Sequence, residues 1–199
     1  MLENFYLTLM GAWDSFRASF YLNFIEDDRW HYIVDGLGVT LQITLFAVFL
    51  GIVIGLVVGI IRTTYEKTHK LKILNLICGL YLTVIRGTPV VVQLLIMYFV
   101  IFGSSRIDKV PVAILAFGIN SGAYVAEIFR SGIQSVDSGQ MEAGRSLGLT
   151  YVATMRHVII PQAFKNVLPA LGNELITLLK ETSVVTVIGL KDLTKGAMI

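Results

Sequence analysis

The sequence predicts an all-α, polytopic membrane protein, and three observations predict it. Apolar residues make up 55% of the 199-residue chain and charged residues 15%, whereas about a quarter of a typical soluble domain is charged. Uncharged runs recur, the first from Gly36 to Ile61, and about 20 apolar residues are enough to cross the hydrocarbon core. Mean hydropathy is +0.73. With so little polar cover, the apolar surface must face lipid. The net charge of +2 comes from Lys and Arg in loops; no basic run alternates with aromatics, so nothing points to nucleic acid. The single cysteine, Cys78, leaves no internal disulfide and no Cys-based metal cluster. The first apolar stretch is interrupted by Asp14 and Arg17 and lacks a positive start, so no cleavable signal peptide is expected.

The elements follow in order. In residues 2–21, Leu2, Phe5, Leu9, Trp13, Phe16 and Phe20 recur at intervals of three or four, with Glu3, Asp14 and Arg17 between them. That pattern predicts an amphipathic helix, lying on the membrane surface or packing as an extra helix. Residues 1–35 form this helix and an external lead-in, and 36–199 form the membrane domain. The first span, Gly36 to Ile61, is preceded by Glu26, Asp27, Asp28 and Asp35 against Arg29, and followed by Arg62, Lys67, Lys70 and Lys72. The positive-inside bias puts the amino terminus outside and 62–72 in the cytoplasm. Trp30 and Tyr32 suit the outer headgroup region. Ala47, Gly51, Gly55 and Gly59 form a stripe of small residues on this span, which permits close helix contact within the subunit or across a dimer.

The second apolar segment, Leu71 to Phe102, is interrupted by Arg86-Gly87-Thr88-Pro89. A residue before proline is biased away from helix, so a break falls near Thr88. Such a break is tolerated where it borders a cavity, and a simple proline kink is the alternative. Gln93, seven residues after Arg86, continues its polar face. A third span runs from about Pro111 to Ile128, inward to Arg130. The following polar segment carries Arg130, Arg145, Arg156 and Lys165, consistent with the cytoplasm. A fourth, less apolar span runs from about Asn166 to Leu179. Thr182 to Leu190 is apolar but too short to cross alone. Four crossings would leave Ile199 outside.

The polar segment 137–161 reads as two short helices between apolar spans, a form suited to docking a soluble partner. Ser138 or Asp137 can cap a helix starting near Gly139, and Gly148 can end it in the left-handed conformation. Thr150 can cap a second helix that Pro161 closes or redirects. The order Glu142-Ala143-Gly144, then Gly148, then Val158, Ile160 and Pro161 resembles the coupling loop of ABC-transporter permeases: EAA, three residues, G, nine residues, I-x-L-P. Gly144 stands for the second Ala, Val158 for the Ile and Ile160 for the Leu, with the spacing kept. RGTPVVVQLLIMYF (86–99), NSGAYVAEIFRSGIQSV (120–136) and LPALGNELITLLKETSVVTVIGLKDLT (168–194) resemble the polar amino-acid uptake branch, which includes histidine, arginine and glutamine importer permeases.

The resemblance implies a type I ABC importer permease fold in the bacterial cytoplasmic membrane. It implies two ABC ATPase subunits, a second permease (the same chain or a similar one) and an external substrate-binding protein. The chain then carries no cofactor of its own, and ATP with magnesium is bound by the ATPase. Glu142, Ala143 and Gly148 would supply the coupling loop's helix shape and close approach, with Gly144 and Pro161 part of the pattern. Arg145 and Arg156 are the residues offered to acidic groups on the ATPase. Members of the branch usually have a further membrane helix after the DLT-like segment, so the resemblance implies that a final transmembrane helix is missing from this chain.

An ionisable group inside a membrane costs a few kcal/mol and usually faces a cavity or a partner. Asn120, Tyr124 and Glu127 fall on one face of the third span, and Asn173, Thr177 and Lys180 on one face of the fourth. With Arg86, Thr88 and Gln93 they are the candidates for a substrate path, since a zwitterionic amino acid needs an acceptor for its ammonium and a donor for its carboxylate. The structural alternative is ion pairing, Glu127 with Arg130 and Glu174 with Lys180. The chain lacks GxxxxGK[ST], HExxH and GxSxG, and His31, His69 and His157 lie in separate loops. Two competing functions remain: an intramembrane enzyme built on Glu127 and Tyr124, which would turn over substrate without an ATPase, and a passive channel or assembly subunit, with flux independent of ATP.

Overall fold

The computed structural model describes residues 2–198; the side chains of 2–9, 67 and 68 lie outside the described part. Leu2, Phe5, Leu9 and Lys67, which the sequence patterns above invoke, are therefore placed by backbone alone. Every described element is helical: α1 (Leu2–Phe20), α2 (Trp30–Thr68), α3 (Lys72–Gly87), α4 (Val90–Leu95, continued by a wider turn to Ile101), α5 (Lys109–Gln134), α6 (Ser138–Ser146), α7 (Tyr151–Thr154, continued to Ile159), α8 (Ile160–Glu181) and α9 (Leu193–Gly196).

The uncharged run 36–61 sits inside α2, whose 39 residues extend about 58 Å at 1.5 Å per residue, well beyond a ~30 Å hydrocarbon core. The expected external lead-in is thus partly helical, since α2 already begins at Trp30. Its far end closes at His69, which takes a left-handed conformation (φ 52°) and donates its N–H to Tyr65 O at 2.8 Å. Leu71 is also left-handed, and the two residues reverse the chain into α3.

The break expected near Thr88 is present and sharper than a kink. Thr88 and Pro89 are extended, and the helices on either side are bent by 106°. The two lengths therefore do not add along one axis. By length and composition α2 and α5 can each cross a membrane, and α3 and α4 qualify only together, as a broken span or a re-entrant loop. The fourth predicted span is longer than the sequence implied. It starts at Ile160 rather than near Asn166, has 22 residues, and carries Lys165, Glu174, Lys180 and Glu181.

The glycines set the packing. A Cβ on Gly51 would lie 2.7 Å from Ser121 Oγ, and one on Gly55 would lie 2.6 Å from Val125 Cγ1. Reciprocally, Gly118 faces Leu50 and Gly122 faces Ile54. Both sets of pairs advance together along the chain, so α2 and α5 run parallel. The small-residue stripe therefore serves packing within the subunit. Between α5 and α8 the order reverses: Asn166 Nδ2 donates to Ser135 Oγ (2.8 Å), Gly132 meets Val167, and Ser121 Oγ donates to Glu174 Oε1 (2.7 Å). These helices are antiparallel. Parallel α2 and α5 with antiparallel α5 and α8 fit an alternating path, but α8 is not among the described helices long and apolar enough to cross a membrane, so the fourth expected crossing rests on its direction alone.

At one end of the bundle α9 closes onto the start of α2. Asp192, almost fully buried, caps α9 by accepting from Thr194 N and Lys195 N, and Leu193 N donates to Thr40 Oγ1 at 3.1 Å. Lys109 Nζ reaches Gly189 O across the same end. Beneath it lies the larger core cluster of Ile43, Ala47, Leu94, Ala113, Phe117, Leu178 and Val185. A smaller cluster of Val58, Cys78, Leu82, Ala123 and Ala126 fills the other half.

Candidate functional site: the interhelical loop and the polar break

The loop between α5 and α8 folds as its residues dictate. Asp137 Oδ1 accepts from Gly139 N at 2.7 Å and starts α6. Gly148 ends it with φ +82°; Leu149 N bonds Gly144 O and Gly148 N bonds Arg145 O, the paired pattern of a glycine C-cap. Thr150 Oγ1 then accepts from Ala153 N and starts α7. Pro161 was expected to close or to redirect the second helix. It lies in the first turn of α8, where proline is tolerated, and the helical turn Met155–Ile159 runs directly into that turn, so of the two expected roles it does not close the chain's helical path.

The loop stands against the ends of two spans. Thr63 and Glu66 of α2, Arg130 and Gln134 of α5, and Met141, Glu142 and Met155 line a cavity of about 410 Å³. Glu142 is exposed there, and Ala143 is exposed beside it. Arg145 Nη1 donates to Leu149 O at 3.0 Å, so this guanidinium braces its own turn while staying exposed. Arg156 is exposed in the wide turn before α8. Three residues here escaped the sequence pattern. Leu147 is 83% exposed and Val152 71%, with Leu149 and Tyr151 less exposed between them, an apolar edge along the loop. Thr154 is fully buried with its Oγ1 donating to Thr150 O, and it explains Gly144: a Cβ there would lie 2.5 Å from Thr154 Cγ2. Apolar residues inside a polar segment were the available signal for Leu147 and Val152.

This contact yields a test. Gly144→Ala is expected to cost about 1–3 kcal/mol through overpacking, read as a lower Tm of the detergent-purified permease. Thr154→Ser removes the offending methyl while keeping the hydroxyl, so the double variant should recover most of the loss. Equal Tm values for the single variant and the parent would refute the contact.

The polar residues of the spans separate into groups. Gln93 is the hub of the first. Its Nε2 shares its two hydrogens among Ile85 O (2.8 Å), Thr88 O (3.1 Å) and Thr88 Oγ1 (2.8 Å), and its Oε1 accepts from Asn120 Nδ2 (3.0 Å). The Arg86 guanidinium lies 5.5 Å from the centre of the Tyr124 ring, within cation–π range. The break thus brings Arg86, Thr88, Gln93, Asn120 and Tyr124 together. Glu127 lies a turn further along α5 and is paired with Arg130, as the structural alternative expected. The other expected pair is corrected: Glu174 takes its hydrogen bond from Ser121, tying α8 to α5. Asn173, Thr177 and Lys180 are exposed on α8, with Thr177 Oγ1 bonded to Asn173 O in its own helix; no described hydrogen bond joins them to the Arg86 group.

Comparison with known proteins agrees with this architecture. Residues 47–198 match the family of binding-protein-dependent transport system inner membrane components. The arginine transport system permease protein ArtQ of Bacillus subtilis is 42% identical over 168 residues, covering 83% of this chain and 74% of the relative. The glutamine transport system permease protein GlnP of Escherichia coli K12 is 41% identical over 166 residues, covering 82% and 74%. The crystal structure of an amino acid ABC transporter with histidines superposes with a TM-score of 0.76 at 48% identity, covering 82% of this chain and 75% of that one. An inward-facing methionine ABC transporter, MetNI, at 23% identity and a TM-score of 0.71 shares the fold. The chain therefore belongs to the binding-protein-dependent transport system inner membrane components, as a permease subunit with the type I ABC importer fold.

Proposed function

We propose that this permease carries a polar amino acid across the bacterial cytoplasmic membrane by alternating access, driven by two partner ATPases that engage the 137–161 loop. The observation that carries the reading is the loop's exposed apolar edge, Leu147 and Val152, held in fixed geometry by two side-chain caps and the left-handed Gly148. An apolar edge of this kind in water marks a protein contact. Glu142, Ala143, Gly144, Arg145, Gly148, Arg156 and Pro161 form the coupling element, with the charged members around the apolar edge. The positive-inside bias puts this loop in the cytoplasm and the amino terminus outside. ATP and magnesium belong to the ATPase, a second permease completes the path, and an external binding protein delivers the substrate.

The substrate path follows the broken span. Arg86, Thr88, Gln93, Asn120 and Tyr124 supply donors and acceptors at the α3–α4 break, and Glu127 on α5 with Asn173, Thr177 and Lys180, exposed on α8, are the proposed continuation of the path. A polar amino acid is the proposed cargo, the class carried by the arginine and glutamine systems to which the two relatives belong.

The test is uptake into proteoliposomes containing the permease, its ATPase and the binding protein, with a panel of labelled amino acids. Uptake should require ATP on the ATPase side and favour one amino-acid class. Leu147→Asp should abolish it without changing the amount of folded permease, because a charge replaces the apolar contact. Flux that persists without ATP and ignores Leu147→Asp would sink the importer reading in favour of a passive channel. Turnover of a substrate by the permease alone would favour an enzyme.

A further inference from the structure

The amino-terminal helix lies outside the residues matched to the family, which begin at 47, and transport as proposed makes no use of it. Along α1 and the turn that continues it, Trp13, Phe16, Phe20 and Phe24 form one exposed ladder, with successive ring centroids 5.9, 6.3 and 4.9 Å apart. On a helix with 3.6 residues per turn, Gly11, Asp14, Ser15 and Ala18 fall on the opposite face, with Ala12 and Ser19 at its edge. Arg17 sits at the rim of the ladder, lining a crevice with Trp13, Phe16 and Phe20. The substantial packing of α1 is against its own continuing turn, Tyr21–Ile25. Among the described residues no other helix covers the ladder, whose rings stay exposed.

What covers it is fixed by the tether. Ile25 is followed by the turn Glu26–Asp28, in which Asp27 and Asp28 take positive φ (54° and 53°), and α2 begins at Trp30. The uncharged run of α2 starts at Gly36. The start of α2 at Trp30 therefore stands about 9 Å above the hydrocarbon boundary at 1.5 Å per residue if α2 is upright, and lower if it tilts. Trp30 and Tyr32 are exposed at that level, as aromatic residues at an interface are. The sharp turn lets α1 leave the axis of α2, and an aromatic face held beside the headgroups meets lipid first. An aromatic face, a small polar face and a rim cation describe a helix lying in the interface.

We infer that α1 is an interfacial anchor lying on the lipid leaflet at the amino-terminal end of α2, with Trp13, Phe16, Phe20 and Phe24 directed at the acyl chains and Arg17 toward the phosphates. This rests on α2 spanning the membrane, and not on which side faces the cytoplasm.

The chain has two tryptophans, so Trp30→Phe leaves Trp13 as the sole reporter and Trp13→Phe leaves Trp30. Each full-length variant is reconstituted in phosphatidylcholine–phosphatidylglycerol vesicles with bromine on the upper acyl chain of the phosphatidylcholine. Trp13 emission should be blue-shifted, mostly lost on bromination, and shielded from aqueous acrylamide. Phe16→Ser with Phe20→Ser should restore acrylamide access. Trp13 open to acrylamide and unaffected by bromine, while Trp30 is quenched, overturns the anchor and leaves the spanning reading intact. Loss of quenching at both tryptophans places the fault in the membrane reading of α2 and overturns the anchor with it. Shielding of Trp13 that arises only when the external binding protein is added overturns it in favour of a protein contact.

Discussion

Gly55→Leu is expected to leave little or no folded permease in the membrane. A Cβ at Gly55 would already lie 2.6 Å from Val125 Cγ1 and 2.8 Å from Ala126 N. The second contact is backbone and cannot rotate away. Leucine adds three more carbons to a seam where α2 and α5 run parallel at backbone contact, so the helices must part. Overpacking costs typically 1–3 kcal/mol and more where backbone must move, against a total stability of about 5–15 kcal/mol. Monodisperse protein extracted in mild detergent measures the outcome. Gly38→Leu, on the same helix with nothing within 4 Å of its Cβ, should extract like the parent. Val125→Ala should rescue Gly55→Leu only in part, because the clash with Ala126 N survives it. Parent-like yields of Gly55→Leu would refute the parallel α2–α5 seam.

That seam shows how far the sequence is legible. A small residue every fourth position announces close approach, and Gly51, Gly55 and Gly59 announced it. The partner was left open because a stripe records the space it needs and not what fills it. Only the reciprocal Gly118 and Gly122 opposite Leu50 and Ile54 identify α5, and those glycines lie inside a longer run of small residues. The caps of the 137–161 loop were legible for a different reason. Asp137, Gly148 and Thr150 act on backbone groups within three or four residues of themselves, so local chemistry sets them. Pro161 left two outcomes open because a proline can end one helix or sit in the first turn of another, and α8 starting at Ile160 excludes the first. Glu174 misled for a different reason: Lys180 is near in sequence, but the hydrogen bond comes from Ser121, 53 residues away.

Gln93→Leu is the second change with a large expected effect, and it separates structure from transport. The side chain holds the α3–α4 break with its two amide hydrogens, shared among Ile85 O, Thr88 O and Thr88 Oγ1, and it accepts the bond from Asn120, which is 3% exposed. Leucine fills the volume but leaves the Asn120 amide unpaired, at a cost of about 1–3 kcal/mol per buried unsatisfied group. Stability should fall, and uptake by roughly tenfold or more, since each 1.4 kcal/mol corresponds to tenfold in an equilibrium. Adding Asn120→Leu removes the stranded partner, so the double variant should lose less stability than the sum of the singles, the signature of direct coupling. Its transport is the discriminating readout. If the amides serve only to hold the bend, uptake should return as stability does. If they line the substrate path, as proposed, two leucines there remove the donors and acceptors an amino acid needs, and uptake stays low in a stable protein. A single Gln93→Leu variant that transports like the parent would refute both roles.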